Sequence, residues 1–277
     1  MKKAFMFAGQ GAQVVGMTKE LQEHKKVQEL FRVVNKICPE VVKIMLDGPQ
    51  ELLNQTLYTQ PAMYIADLAY AYVEQEKTGT PDALLGFSVG EIPALTFADV
   101  CTVEDGIKII LKRAELMEEY TKRNEGCMIA VLGLSSAQVE NLCDGENQQP
   151  ANYNGAKQTV VACKKEAESS FIDKVKGAGG RAMKLKVSGM FHCKELLPES
   201  NAFATYLNQF ALQPPKIPVY ANLTGEQYGE NIVETLSKQM LSAVRFTASI
   251  ANMRQYGITE FIEVGPGKVL TGLVAKG

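Results

Sequence analysis

Between an apolar run at residues 83–87 and a stretch of helical periodicity stands Gly86-Phe87-Ser88-Val89-Gly90, a G-x-S-x-G pattern. This order of strand, tight turn and helix limits the fold more than any other feature of the chain. A plain glycine turn can carry the same five residues, but the strand before and the helix after favour a sharp elbow. The two glycines leave room for the bend, which pushes the Ser88 hydroxyl clear of the sheet. The serine then sits at a helix N-terminus, where backbone N–H groups have no intrahelical partner and point outward.

The flanking sequence fits a parallel sheet covered by helices. Residues 3–7 read as a short apolar strand followed by a turn at Gly9–Gly11. Residues 17–21, 27–37, 60–75 and 104–121 read as helices; in the third, Ala62, Ile65, Ala66, Leu68, Ala69 and Tyr72 recur at helical spacing. Residues 74–81 form a polar connector. The middle of the chain follows another order: strand 127–134, helix 136–143, polar loop 144–150, strands near 151–153 and at 159–163, helix 165–176, strand 182–187. That β-α-β-β-α-β order is ferredoxin-like. The expected fold is therefore α/β, with an α/β-hydrolase-like parallel-sheet core at 1–122 and 189–277 and an inserted ferredoxin-like subdomain at 123–188. Strands at 217–222 and 260–264 complete the core.

Composition narrows the function. The 277 residues are 46% hydrophobic, enough for a large core, and the formal charge of −2 gives no basic excess for nucleic acid or an anionic membrane surface. No apolar run reaches the roughly 18 residues of a membrane span. The N-terminal segment has too few apolar residues for a secretory signal, so a cytoplasmic location is expected. The six cysteines, Cys38, Cys101, Cys127, Cys143, Cys163 and Cys193, show no C-x-x-C pairing. With two histidines in the chain, no metal site is expected, and the thiols are read as reduced and mostly buried.

A serine nucleophile needs a base. His24 lies in the charged stretch Gln22-Glu23-His24-Lys25-Lys26 and is expected to be solvated. His192 lies where an apolar strand gives way to a small-residue loop, Val187-Ser188-Gly189-Met190-Phe191-His192-Cys193, and is the better candidate.

Further segments carry a resemblance. Gly9-Gln10-Gly11-Ala12-Gln13, Thr59-Gln60-Pro61-Ala62, Gly86–Glu91, Lys112-Arg113-Ala114-Glu115-Leu116-Met117, Ala151-Asn152-Tyr153-Asn154 with Gln158, Ser188–Cys193 and Glu263-Val264-Gly265-Pro266-Gly267-Lys268-Val269-Leu270 occur in that order. Together they resemble the malonyl-CoA:acyl-carrier-protein transacylase family, including the free-standing acyltransferases of polyketide synthesis. The resemblance spans nearly the whole chain.

It implies transfer of malonyl, or less readily another acyl group, from coenzyme A through an ester on Ser88 to the phosphopantetheine thiol of an acyl carrier protein. No cofactor is implied. His192 would be the base, the backbone N–H groups of Gln10 and Val89 the oxyanion hole, and the backbone carbonyl of Gln239 the group orienting the histidine. Arg113 would hold the malonyl carboxylate, although by composition alone it reads as a helix-surface arginine. Gln60, Phe191 and Met117 would line the acyl pocket, and Asn152 and Asn154 would meet the coenzyme or pantetheine arm, or else cap loops.

Several residues depart from the family pattern. Phe87 stands where the family has histidine, Ala8 where it has proline, Cys163 where it has glycine and Cys193 where it has serine. Pro93 falls early in the elbow helix. A helix starting at Ser88 would set its ring against the carbonyl four residues back, at about 3 kcal/mol; a start near Glu91, or a kink, removes the conflict. The chain ends soon after its last motif, which is closer to the free-standing polyketide type. Two alternatives follow: an acyl hydrolase of the same fold that clears stalled carrier proteins, which has no use for Arg113, and a non-catalytic carrier-docking subunit, which has no use for Ser88 and His192.

Overall fold

The computed structural model describes residues 1–187 and 189–275. Ser188, where the inserted unit was expected to end and the histidine loop to begin, lies outside the described residues. Among the described residues, eight strands fall into two sheets: β1 (Lys2–Phe7), β2 (Ala83–Gly86), β3 (Gly126–Leu132), β4 (Gln148–Gly155), β5 (Gln158–Lys164), β6 (Arg181–Lys184), β7 (Val219–Tyr220) and β8 (Ile258–Val264).

The first sheet runs β7-β2-β1-β8 and is parallel throughout. Its central strand explains its composition. Ala4, Phe5, Met6 and Phe7 are all buried, because helices cover both faces and neither face can be polar. Parallel pairing also brings the carboxyl ends of β1, β2 and β8 to one edge, where α/β sheets present their ligand crevices.

The second sheet runs β4-β5-β3-β6 and is antiparallel. Its strands alternate between two different apolar environments. Cys127, Ile129, Val131, Val161 and Cys163 pack with Phe171 and Val175 of the helix Glu168–Gly177. Met128, Ala130, Val160 and Ala162 on the opposite face join the main core. The sheet therefore closes over the parallel sheet instead of standing apart from it.

Three expectations change in detail. The polar loop expected at 144–150 gives way at Gln148 to β4. Its polar residues are tolerated because both edges are bonded: β5 pairs one side, while Tyr153 N–H donates to Val244 O and Val244 N–H to Ala151 O on the other, at 2.9 and 2.8 Å. The strand expected at 217–222 contracts to Val219–Tyr220, with Pro218 unable to donate to a ladder. The helix expected at 60–75 runs Thr56–Thr78 and accommodates Pro61.

Pro93 meets no conflict. Ser88–Gly90 form a 3-10 turn and the α-helix begins at Glu91, so the proline falls in the first turn, where its missing N–H would have had no partner. No helix among the described residues is long and apolar enough to cross a membrane.

Candidate active site

The elbow at Ser88 is built by close backbone approach. A Cβ on Gly86 would lie 2.1 Å from the Gly90 carbonyl group, and one on Gly90 would lie 2.4 Å from Phe7 O. Only glycine fits at either position. Ser88 itself has φ 52, a left-handed conformation that a serine adopts at a cost and that persists when its surroundings hold it. Asn222 supplies that hold: its Oδ1 accepts the Ser88 N–H at 2.7 Å, and its Nδ2 donates to Gly86 O at 2.6 Å.

His192 is 104 residues away in sequence and reaches the same point; Ser88 Oγ and His192 Nε2 are 2.7 Å apart. The other ring nitrogen, Nδ1, faces two carbonyl oxygens, Gln239 O at 2.9 Å and Ser242 O at 3.1 Å. Carbonyls only accept, so Nδ1 carries the proton and Nε2 presents a lone pair to the serine hydroxyl. Burial, reinforced by the nearby Arg113 charge, pushes the imidazole down to about 4, so it is neutral at pH 7 and its Nε2 is free to take a proton. His192 also has a left-handed φ, of 58. The Gln239 carbonyl, which the resemblance singled out, is one of the two oxygens; that of Ser242 is a second that the sequence gave no reason to expect.

Arg113 is not the surface arginine that composition suggests. It is 1% exposed. Nη1 donates to Gln60 Oε1 at 2.7 Å; Nη2 donates to Gln239 Oε1 at 2.9 Å and to Ser88 Oγ at 3.2 Å. Burial lowers its pKa to about 10, which still leaves it cationic at neutral pH. Its Nε has no hydrogen-bond partner among the described residues. A buried guanidinium with spare donor capacity is suited to a carboxylate brought by a ligand.

These groups face a cavity of about 390 Å³ between the two sheets. Gln10, Gln60, Ser88, Arg113, Met117 and His192 line its floor; Asn152, Asn154 and Phe191 also line it. Val89 and Gln239 lie behind the lining, buried against it. Met117 Sδ accepts from Gln60 Nε2 at 3.2 Å, and Met128 Sδ accepts the Phe191 N–H at 3.2 Å. The Asn154 side-chain oxygen is buried and unpartnered among the described residues. Phe87, the departure beside the serine, packs edge-on to Phe246 with ring centroids 5.7 Å apart and also lines the cavity.

The two other candidates for reactivity turn away. His24 is only partly exposed and pairs with Glu76, which corrects the expectation that it is simply solvated. Cys193 faces Tyr120, with its Sγ 3.3 Å from the phenol oxygen, and burial pushes its thiol up to about 12. All six cysteines are free thiols, four of them buried.

Sequence reasoning missed four residues: Asn222, Glu91, Tyr228 and Ser242. An asparagine ending the apolar run at 217–222 was a usable signal. Glu91 stood inside a quoted motif but read as an ordinary acidic residue in a first helical turn. Tyr228 and Ser242 carried no signal.

A part-buried serine paired with a buried imidazole beside a fixed guanidinium can perform acyl transfer with a carboxylated acyl group. The chain belongs to the acyl transferase domain family, whose sequence profile matches residues 4–277. It is 36% identical over 285 residues to a malonyl CoA-acyl carrier protein transacylase of Staphylococcus aureus strain MRSA252, covering 99% of this chain and 92% of that protein. Among solved structures, a malonyl CoA-acyl carrier protein transacylase from Clostridium perfringens superposes with a TM-score of 0.94 at 34% identity, covering 100% of this chain and 90% of that one. A malonyl-transacylase in complex with its type II polyketide-synthase acyl-carrier protein superposes at 0.93 with 33% identity, covering 100% and 93%.

Proposed function

We propose that the protein moves a malonyl group from coenzyme A, through an ester on Ser88, to the phosphopantetheine thiol of an acyl carrier protein in fatty-acid or polyketide synthesis. The observation that carries this reading is the meeting of Ser88 Oγ with His192 Nε2 at 2.7 Å and with the Arg113 guanidinium at 3.2 Å.

Ser88 Oγ attacks the thioester carbonyl and His192 Nε2 takes its proton. The tetrahedral oxygen is held by the backbone N–H groups of Gln10 and Val89, donors of a kind worth about 3 kcal/mol each in other acyl-transfer enzymes. The intermediate collapses, the imidazolium returns the proton to the departing coenzyme A sulfur, and a serine ester remains. The carrier thiol enters, gives its proton to His192, attacks the ester, and Ser88 leaves as the restored hydroxyl. Arg113 fixes the malonyl carboxylate through both steps, while Gln60, braced by Met117, holds the guanidinium and lines the acyl pocket with it. Phe191 narrows the acyl pocket, and Asn152 and Asn154 receive the pantetheine arm. The units 1–122 with 189–277 and 123–188 act as floor and roof of one cleft. The reading places the reaction in the cytoplasm.

A panel of malonyl, methylmalonyl, acetyl and longer acyl thioesters, each scored for carrier loading and for release of free acid, tests this. Malonyl loading well above hydrolysis is expected. Dominant release of free acid would favour the hydrolase reading, and inactivity towards every thioester the docking-subunit reading.

A further inference from the structure

Behind the serine lies a carboxyl group that the mechanism above leaves unused. Glu91 opens the helix Glu91–Phe97 and is fully buried. Its Oε2 accepts the Asn222 N–H at 2.9 Å and Gln239 Nε2 at 3.2 Å; its Oε1 accepts the Tyr228 hydroxyl. Two of these partners, Asn222 and Gln239, lead to working parts. Asn222 holds both sides of the Ser88 turn. Gln239 donates to Ser88 O at 2.8 Å, accepts Arg113 Nη2 through its side-chain oxygen, and accepts His192 Nδ1 through its backbone carbonyl. One amide therefore separates Glu91 from the guanidinium, from the nucleophile's backbone and from the base.

The charges make this arrangement conditional. Arg113 is a buried cation and needs an anion nearby. Glu91 acts on it across Gln239. Burial keeps Tyr228 and, at the far end of the helix, Tyr64 protonated, and burial raises the Asp67 carboxyl of the helix Thr56–Thr78 well above its ordinary range. His192 is neutral as described. When an acyl carboxylate reaches Arg113, the pocket would hold two anions for one cation.

We propose that Glu91 is the resting counter-ion of Arg113, a positioning residue that ties the Ser88 turn, Gln239 and the guanidinium together, and that it takes up one proton from solvent when the carboxylate of the acyl group replaces it. This rests on the malonyl-transfer reading and adds to it a proton-linked selectivity. Burial, opposed by its three hydrogen bonds and by Arg113, leaves the Glu91 carboxyl at about 7. A second anion raises it further. Carboxylate binding then consumes a proton at pH values above about 7, and affinity weakens as pH climbs, by up to about tenfold per unit. Below about 7, Glu91 is already protonated and the dependence vanishes.

The test uses the non-reacting Ser88→Ala protein with malonyl-CoA and acetyl-CoA, by calorimetry in buffers of different ionisation enthalpy at pH 7.5–8. Proton uptake approaching one is expected for malonyl-CoA beyond that for acetyl-CoA. It should vanish when Glu91→Gln is added, a change that keeps the acceptor oxygen for Asn222. In the otherwise wild-type enzyme, Glu91→Gln should flatten the rise of malonyl KM with pH and leave the acetyl profile as it was. Tight, malonyl-selective binding with no extra proton uptake would overturn this proposal alone. Equal binding of the two thioesters would overturn the malonyl reading beneath it. A merely structural Glu91 would lower kcat for both substrates alike and leave both pH profiles unmoved.

Discussion

The floor and the roof of the cleft are built on opposite principles. On the floor, Ser88, His192 and Arg113 are locked by hydrogen bonds to Asn222, Gln239, Gln60 and the Ser242 carbonyl, and two of them have left-handed backbones. On the roof, the antiparallel sheet offers apolar side chains from β3 and β5, and Asn154 has an unpartnered oxygen. The floor is prepared before any ligand arrives, as transition-state stabilisation requires. The roof has spare hydrogen-bonding capacity, which suits contacts made only when a flexible arm enters.

If the floor works as one unit, its parts should fail together. Ser88→Ala and His192→Ala should each lower malonyl transfer by about 10⁴-fold or more, and the double variant should be little worse than either. Steady-state loading of a carrier protein measures this, and additive losses would break the unit apart. Arg113→Ala should cost about 3 kcal/mol in kcat/KM for malonyl and much less for acetyl; equal losses would remove the carboxylate role.

The pH dependence of stability sharpens the same contrast, because the floor holds two buried groups with opposing shifts. His192 is pushed below its ordinary value to about 4. The unfolded chain therefore binds a proton that the folded one refuses, and stability falls as pH drops from about 6.5 toward about 4. Glu91 is pushed up to about 7. There the folded chain holds the extra proton, so stability falls as pH rises from about 4.5 toward 7. The two windows overlap and oppose, so the wild-type unfolding midpoint should be nearly flat across them. Glu91→Gln should uncover the His192 slope, a loss of about 3 kcal/mol on acidification through that window, read by denaturant unfolding at each pH.

Smaller effects follow further from the dyad. Asn222→Ala leaves the Ser88 N–H and Gly86 O without partners in a buried turn. It should lower stability by about 2 kcal/mol and kcat along with it. Asn154→Ala, on the roof, should raise KM for the coenzyme A thioester by less than about 1 kcal/mol equivalent with kcat nearly kept. A kcat collapse at Asn154 would mean that the roof shares in the chemistry and that the contrast is wrong.

The two regions were also unequally legible in the sequence. The floor announced itself through backbone geometry: an added Cβ at Gly86 or Gly90 would come within 2.5 Å of neighbouring backbone, and such close approach leaves glycines at fixed spacing. His192 followed by elimination in a chain with two histidines. The alternation of β3 and β5 between two apolar environments was readable as strands but not as a cleft wall. β4 was read as a loop at its start because Gln148, Gln149 and Pro150 have little strand propensity of their own and are held extended by pairing with Cys163, Ala162 and Val161 of β5. Tyr228 and the side chain of Gln239 were hidden because each acts through a hydrogen bond to a residue more than a hundred positions distant. The buried state of Arg113 was visible only through the family resemblance, since its helix neighbours Lys112 and Glu115 are exposed enough to pair with each other.

The most direct test of the shared cavity is the intact mass of the protein after brief exposure to malonyl-CoA, before and after a holo acyl carrier protein is added. The wild-type chain should gain the mass of one malonyl group, carried on a peptide containing Ser88, and lose it to the carrier on addition. The Ser88→Ala chain should gain nothing. Carrier loading without any covalent intermediate, or an adduct on a residue other than Ser88, would contradict it.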